Sequence, residues 1–289
     1  MSATPIKRRA ARWLVKELVS VHSRFRGLPA RNDGRITLLS VNYNSADSIV
    51  RLVNSFHKFV GQEAPVVIVE NSARSGAIEG LPGVTYLRPF DNLHHGLGLD
   101  YGLRHVTSEY TLICDPDSAI LSSDFAPHML ELAKKKGIAG IESAHWIYHP
   151  ICLLFRTEWW KAGGISMQEK WPWYDVAGEL TVLNQGRDPE TVIKRTRIAG
   201  PRFRFPIYLI EVYEDLFTNT YLGSRLHSEE SDEELGLPRK IVQPLHTKWE
   251  SWVDGVIVGN LKPSEFPFEE AVLDTRVYDT ADAMRQMSS

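Results

Sequence analysis

The chain of 289 residues is poor in several things, and each shortage removes a class of protein. It has two cysteines, too few for a disulfide framework. Cys114 and Cys152 both sit in apolar runs, so both are expected as buried thiols in a reducing cytoplasm. No apolar run approaches the roughly 20 residues needed to cross a bilayer as a helix. Arg12, Lys16 and Glu17 interrupt the N-terminal apolar stretch, which argues against a secretory signal. Repeats and low-complexity tracts are absent. Gly96, Gly98 and Gly102 are not a dinucleotide fingerprint, because no strand directly precedes them and the spacing differs. With 43% hydrophobic and 24% charged residues, the composition is that of a globular protein with a sizeable core.

Net charge is only −3, unevenly spread. Residues 1–35 hold nine lysines and arginines against Glu17 and Asp33, a surplus of seven, which leaves −10 for the remainder. Within residues 5–26, Leu14, Leu18, Val21 and Phe25 keep helical spacing beside Lys7, Arg8, Arg9, Arg12 and Lys16. Such a helix suits either docking on its own domain or peripheral contact with an anionic membrane, as at the inner membrane face. A nucleic-acid partner is disfavoured by the acidic remainder.

What is present is a strand running into two acids: Tyr110-Thr-Leu-Ile-Cys-Asp-Pro-Asp117. Alternate residues of an extended chain share a face, so Asp115 and Asp117 are expected to aim together. Proline between them suits a point where the strand leaves its sheet. Paired carboxylates repel, and a divalent cation relieves that repulsion. Upstream, strands are expected over 36–42, 64–69 and 84–87. Helices are expected over 46–59, with Ser45 as N-cap, and from the Asn92–Gly102 segment to about Thr107. This alternation predicts an α/β chain with a mostly parallel sheet flanked by helices. Ligands of such sheets bind past the strand carboxyl ends, where Asn44, Glu70, Asn92 and Asp115 fall.

Ser40-Val-Asn-Tyr-Asn44, Val67-Ile-Val-Glu-Asn-Ser72, Asn92-x-x-x-Gly96 and Cys114-Asp-Pro-Asp117, taken in order, resemble family 2 glycosyltransferases of the GT-A fold, rhamnosyltransferase-like in type. Phe155–Gly164 and Tyr174–Leu180 look like that family's acceptor-side and acidic catalytic segments. The resemblance spans about residues 36–186. It departs from the family in Glu70-Asn71 for Asp-Asn, in Asp100 for Asn, and in lacking an adjacent Glu-Asp pair.

The resemblance implies a Rossmann-like GT-A catalytic domain over 35–262, with a nucleotide-sugar half (35–122) and an acceptor half (123–262). Outside it lie a basic extension (1–34) and a tail (263–289). It implies a nucleoside-diphosphate sugar as donor and a glycan, lipid-linked or protein acceptor. Tyr43, Asn44, Glu70, Asn92, Gly96, Asp100 and Asp115 would hold the donor. Asp117 and Asp115 would hold Mn2+ or Mg2+, with His246 as a late contact and His227, His94 and His95 as competitors. Asp175 would take the acceptor proton with inversion, and Glu179 is its alternate. For Asp100 a first-turn acid on the helix dipole is an equal reading, and for Asp175 an N-cap. Most of the tryptophans beyond residue 145 are expected in the core, with Trp171 and Trp173 lining a pocket. Two other readings stay open: a haloacid-dehalogenase-type phosphatase using Asp115 and Asp117, and a catalytically silent nucleotide-sugar-binding protein.

Overall fold

Strands buried on both faces set the centre of the molecule. A computed structural model describes residues 36–72, 78–142, 148–162, 165–169, 176–204, 207–221, 226 and 238–269. The basic segment 5–26, Trp146, Trp171, Trp173, Asp175, His227 and the acidic run 228–236 lie outside the described residues.

β1 (Ile36–Asn42) and β2 (Val66–Glu70) are apolar and buried along their whole length, as strands covered by helices on both faces must be. With β3 (Val84–Leu87) and β4 (Tyr110–Cys114) they form a parallel block in the order β3-β2-β1-β4. β7 (Cys152–Arg156) pairs antiparallel with β4, and β6 (Ile138–Ile141) and β8 (Val192–Ile193) complete seven strands. The expected α/β architecture is the one found.

Helix α1 (Ala46–Phe59) turns Ile49, Leu52, Val53 and Phe56 onto one core face, the i, i+3, i+4, i+7 stripe of an amphipathic helix. It starts where expected, but Ser45 does not cap it with its side chain. The Ser45 hydroxyl donates to the Tyr43 carbonyl, and its N–H is taken by Asn42 Oδ1 at 3.0 Å. Asn42, the last residue of β1, thus ties down the turn from strand to helix.

Helix α2 (His94–Leu103) covers the opposite face and stops short of the expected Thr107. Its glycines explain how close it lies. A Cβ on Gly102 would fall 2.4 Å from Leu39 Cδ1, and one on Gly98 3.1 Å from Val41. A Cβ on Gly96 would fall 2.6 Å from the Met167 carbonyl oxygen and the Gln168 Cα.

After Cys114 the chain changes sheets. The Asp115 N–H still donates to the Ile151 carbonyl, just before β7 (Cys152–Arg156) of the main sheet, whereas the Asp117 carbonyl accepts from Thr220 N of a second one. That sheet is antiparallel, in the order β5 (Ser118–Ile120), β11 (Phe217–Thr220), β10 (Ile207–Tyr213), β9 (Arg195–Arg204). Pro116 sits at the handover, where no ladder bond is asked of its nitrogen. α3 (Phe125–Lys136) follows β5 and ends at Gly137, whose φ of 72° is a left-handed cap. Two short helices, α4 (Thr157–Lys161) and α5 (Gly178–Leu183), flank the 165–169 segment in sequence.

The last helix, α6 (Arg239–Val258), buries Val242, His246, Trp249, Trp252, Val253 and Val256 against the small sheet, and Trp249 Nε1 donates to Thr218 Oγ1 at 3.0 Å. Arg51 of α1 reaches Glu250 and Asp254 of α6, both at 2.8 Å, and joins the two ends of the described chain. Trp160, Trp249 and Trp252 are core residues, as expected of most tryptophans here.

Candidate active site

Register brings the carboxyl ends of four strands to one edge. Asn42 lies opposite Glu70, and Val69 opposite Leu87. Leu39 lies opposite Ile113, which carries Asp115 to the level of Val41.

The polar groups at this edge bind one another first. Asn42, almost fully buried, donates through Nδ2 to Glu70 Oε2 at 2.8 Å, and Ser72 N donates to Glu70 Oε1 at 2.7 Å. Asn44 N donates to Ser72 Oγ at 2.7 Å, and Asn44 takes a left-handed φ of 57° that asparagine tolerates. Asn71 bridges to α2: its Nδ2 donates to the His94 carbonyl at 3.1 Å, and its Oδ1 accepts from Leu93 N at 3.2 Å. Each bond is modest alone, about 1 kcal/mol. Together they fix the ends of β1 and β2 relative to the start of α2.

Above this floor lies an open cleft of about 360 Å³, lined by Tyr43, Asn44, Glu70 to Ser72 and the 88–92 loop. Four of the residues expected to hold a donor, Tyr43, Asn44, Glu70 and Asn92, therefore share one cavity. The sequence reading passed over Arg88, Phe90 and Asp91. Their signal was a charged and aromatic tripeptide-scale break in a turn, in a loop that follows a strand on the same edge.

Two of the expected donor residues, Asp100 and Gly96, lie outside the lining of that cleft and have structural contacts of their own. Asp100 is the seventh residue of α2, so it is no first-turn acid. Its buried carboxylate accepts from Trp160 Nε1 at 2.8 Å, Met167 N at 2.9 Å and Ser166 Oγ at 2.7 Å. It fastens the 165–167 segment to α2. Gly96 lies inside the helix, and the close approach it permits is that of the Met167–Gln168 backbone.

The two aspartates have different surroundings. The Asp115 side chain is about one-fifth exposed, and His95 Nε2 of α2 stands 3.5 Å from its Oδ1. Asp117 is nearly buried, with Asn219 Nδ2 3.4 Å from its Oδ1. Behind them Tyr221 is partly buried, and its hydroxyl is pushed well above the usual tyrosine range by desolvation first and by the charges of Glu211, Asp115 and Asp117 after it. Glu211 is in turn held by Arg195 at 2.7 Å and by the Tyr213 hydroxyl, while burial pushes its carboxyl up. This Tyr221–Glu211–Arg195 group, with Glu211 buried at its centre, was not anticipated, because the sequence reading placed no strands over β9, β10 and β11.

Asp115 and Asp117 offer oxygen donors suited to Mn2+ or Mg2+, which need few protein ligands. Among the described residues no group of three or more His, Cys, Asp or Glu is gathered as a closed cage. His246 is fully buried on α6, with Nδ1 3.6 Å from Glu250 and its ring against Trp249, and is not joined to the aspartates in such a group.

Helix α5 begins at Gly178 after Ala177, whose φ is 62°. Ala177 thus holds the N-cap position for which the sequence offered Asp175, itself outside the described residues. The Glu179 carboxylate accepts from Ser166 N at 2.6 Å, on the same segment that Asp100 anchors.

No protein-family model matches the sequence, and no curated protein matches it. Solved structures with partial similarity include a mannosyltransferase from Pyrobaculum calidifontis in complex with GDP-Man and Mn2+, at 17% identity and a TM-score of 0.39, over 53% of this chain and 55% of that one. Residues 1–349 of S. aureus TarS in complex with UDP-GlcNAc align at 14% identity and a TM-score of 0.38, over 44% and 47%. The longer TarS chain aligns at 16% and 0.39, over 46% and 30%. The chain thus spans about half, or less, of the length of these structures.

Proposed function

We propose that this protein is a glycosyltransferase of the GT-A, family 2 type that moves a sugar from a nucleoside-diphosphate donor to an acceptor hydroxyl. The observation that carries the reading is the cleft itself. Tyr43, Asn44, Glu70 and Asn92 meet in it at the ends of β1 and β2 and before α2, and Asp115 and Asp117 follow β4, the strand beside β1.

In this reading Tyr43 presents a half-exposed ring to the nucleobase. Glu70, pre-oriented by Asn42 and Ser72, accepts hydrogen bonds from the nucleoside. Asp115 and Asp117 would hold Mn2+ or Mg2+, which supplies positive charge for the departing diphosphate. Asp175 takes the proton from the acceptor oxygen, and attack from the face opposite the leaving group inverts the anomeric carbon. Glu179 supports the 166 segment and is assigned no proton transfer, since its carboxylate already accepts from Ser166. The acceptor belongs to the glycan, lipid-linked or protein class. The basic segment 5–26 would bring the enzyme to an anionic membrane surface from the cytoplasmic side. No helix among the described residues is long and apolar enough to cross a membrane.

A thermal-shift panel of nucleoside diphosphates and nucleotide sugars, each with and without Mn2+, tests this. The expected result is a rise in Tm with at least one nucleotide sugar, larger when Mn2+ is present. At 100 times Kd a ligand adds about 2.7 kcal/mol to stability, which for a domain of this size is several degrees. Phosphate release from phosphate esters with no nucleotide response would instead select the phosphatase reading.

A further inference from the structure

Phe90 is the most exposed large apolar side chain among the described residues, at 108% of its reference area. It sits in the 88–93 loop between β3 and α2, with Pro89 before it and Asp91 after it. A lone exposed phenylalanine is ordinarily unremarkable on a surface. This one lines a cleft whose other walls are mostly polar, and the other large exposed aromatic among the described residues, Tyr43, lines the same cleft.

Sheet order gives the two rings a defined relation. Tyr43 leaves the end of β1 and Phe90 follows the end of β3, and these are the two neighbours of β2, whose last residue is Glu70. Adjacent strands are about 4.8 Å apart, so the two loops start about 10 Å apart on either side of Glu70. Aromatic contacts have centroid separations of about 4.5–7 Å. Both loops line the one cleft above Glu70, so a flat ring lying over Glu70 would have an aromatic side chain on either side.

We propose that Phe90 and Tyr43 form an aromatic clamp on the nucleobase, with the edge of the base directed at Glu70 on the floor. The assignment rests on the nucleotide-sugar reading of the cleft and adds a residue to it. A phenyl face stacks on any base, so Phe90 supplies affinity without choosing among bases, and the polar floor makes the choice. The two parts of the donor are then held by separate groups: the base by the clamp, and the diphosphate by the Asp115–Asp117 end.

The experiment is calorimetric titration of UDP, GDP and inorganic pyrophosphate, each with Mn2+, into the full chain and into Phe90→Ala, Phe90→Leu and Phe90→Tyr. Truncating one stacking ring weakens base binding by roughly 5- to 150-fold. Phe90→Ala is expected to lose that factor for whichever of the two nucleotides binds, by a similar factor if both do. Its pyrophosphate affinity should be unchanged and its unliganded Tm equal to wild type. Phe90→Tyr should keep nucleotide affinity within about threefold, and Phe90→Leu should fall between Tyr and Ala.

Nucleotide binding by wild type with no loss in Phe90→Ala overturns the clamp and leaves the proposed function standing. Equal loss for pyrophosphate overturns it too, because the effect would then be on the loop and not on a base. Full rescue by leucine would show apolar contact without stacking. Loss of binding to anionic vesicles by Phe90→Ala, with nucleotide affinity intact, would assign the ring to a membrane surface. No nucleotide binding by wild type overturns both the clamp and the reading beneath it.

Discussion

Asp175 and Glu179 are four residues apart, and the sequence offers either as the group that takes the acceptor proton. Glu179 is the one of the two among the described residues, and its carboxylate is engaged. Glu179 accepts a backbone hydrogen bond from Ser166 at 2.6 Å, and Ser166 Oγ donates to Asp100. Glu179→Gln keeps an oxygen that can accept from Ser166, so it should cost about 1 kcal/mol in stability and leave most of the transfer rate. Asp175→Asn should lower the rate about 100- to 10,000-fold with donor affinity unchanged, the usual cost of losing a general base. Steady-state rates and melting curves for both variants check the assignment; a collapse in Glu179→Gln alone would exchange the roles. At this scale the sequence was legible where a polar residue closes or directly follows an apolar strand, as with Asn44, Glu70 and Asp115. It was not legible for Asp100, whose three donors come from residues 60 or more positions away.

Elements show the same division between local and distant causes. The positions of β1, β3 and α1 follow from apolar runs and helical periodicity, and the structure returns them nearly residue for residue. The glycines of α2 read differently in isolation. Glycine weakens a helix interior by about 1 kcal/mol relative to alanine, so three glycines in ten residues look like a loop or a ligand cradle. Their reason is the surface beneath them: Leu39 and Val41 of β1 and the Met167–Gln168 backbone. This sets the sign of a substitution. At an open helical site Gly→Ala would stabilise. At Gly96 the new Cβ would lie 2.6 Å from main-chain atoms that cannot rotate away. Gly96→Ala is therefore expected to destabilise by about 1–3 kcal/mol, the range for overpacking. Urea denaturation measures it, and a stabilised variant would show that α2 stands further off the 167–168 segment.

Over the whole molecule, the acidic pair stands where the chain passes from the mixed, mostly parallel main sheet to an antiparallel one. Asp115 is still bonded to the main sheet through Ile151, and Asp117 already to the small sheet through Thr220. Tyr110–Asp117 announced the end of a strand, and Pro116 the departure from a sheet. The second sheet itself was not legible, because β5 has only three residues and its partner β11 lies about a hundred positions downstream. The carboxylates are carried by the junction of two sheets, with buried Glu211 and the partly buried Tyr221 and Arg195 behind it. A junction tied by backbone hydrogen bonds on both sides does not depend on either carboxylate for its shape. Asp117→Ala should therefore fold, since a near-buried carboxylate at a strand end adds little to the apolar core. The most direct measurement is calorimetric titration of a nucleoside diphosphate into wild type and Asp117→Ala, with and without Mn2+. The account predicts tighter binding with Mn2+ in wild type, and in the variant a folded protein whose residual binding no longer responds to the metal. Equal affinity and equal metal response in the two proteins would contradict it.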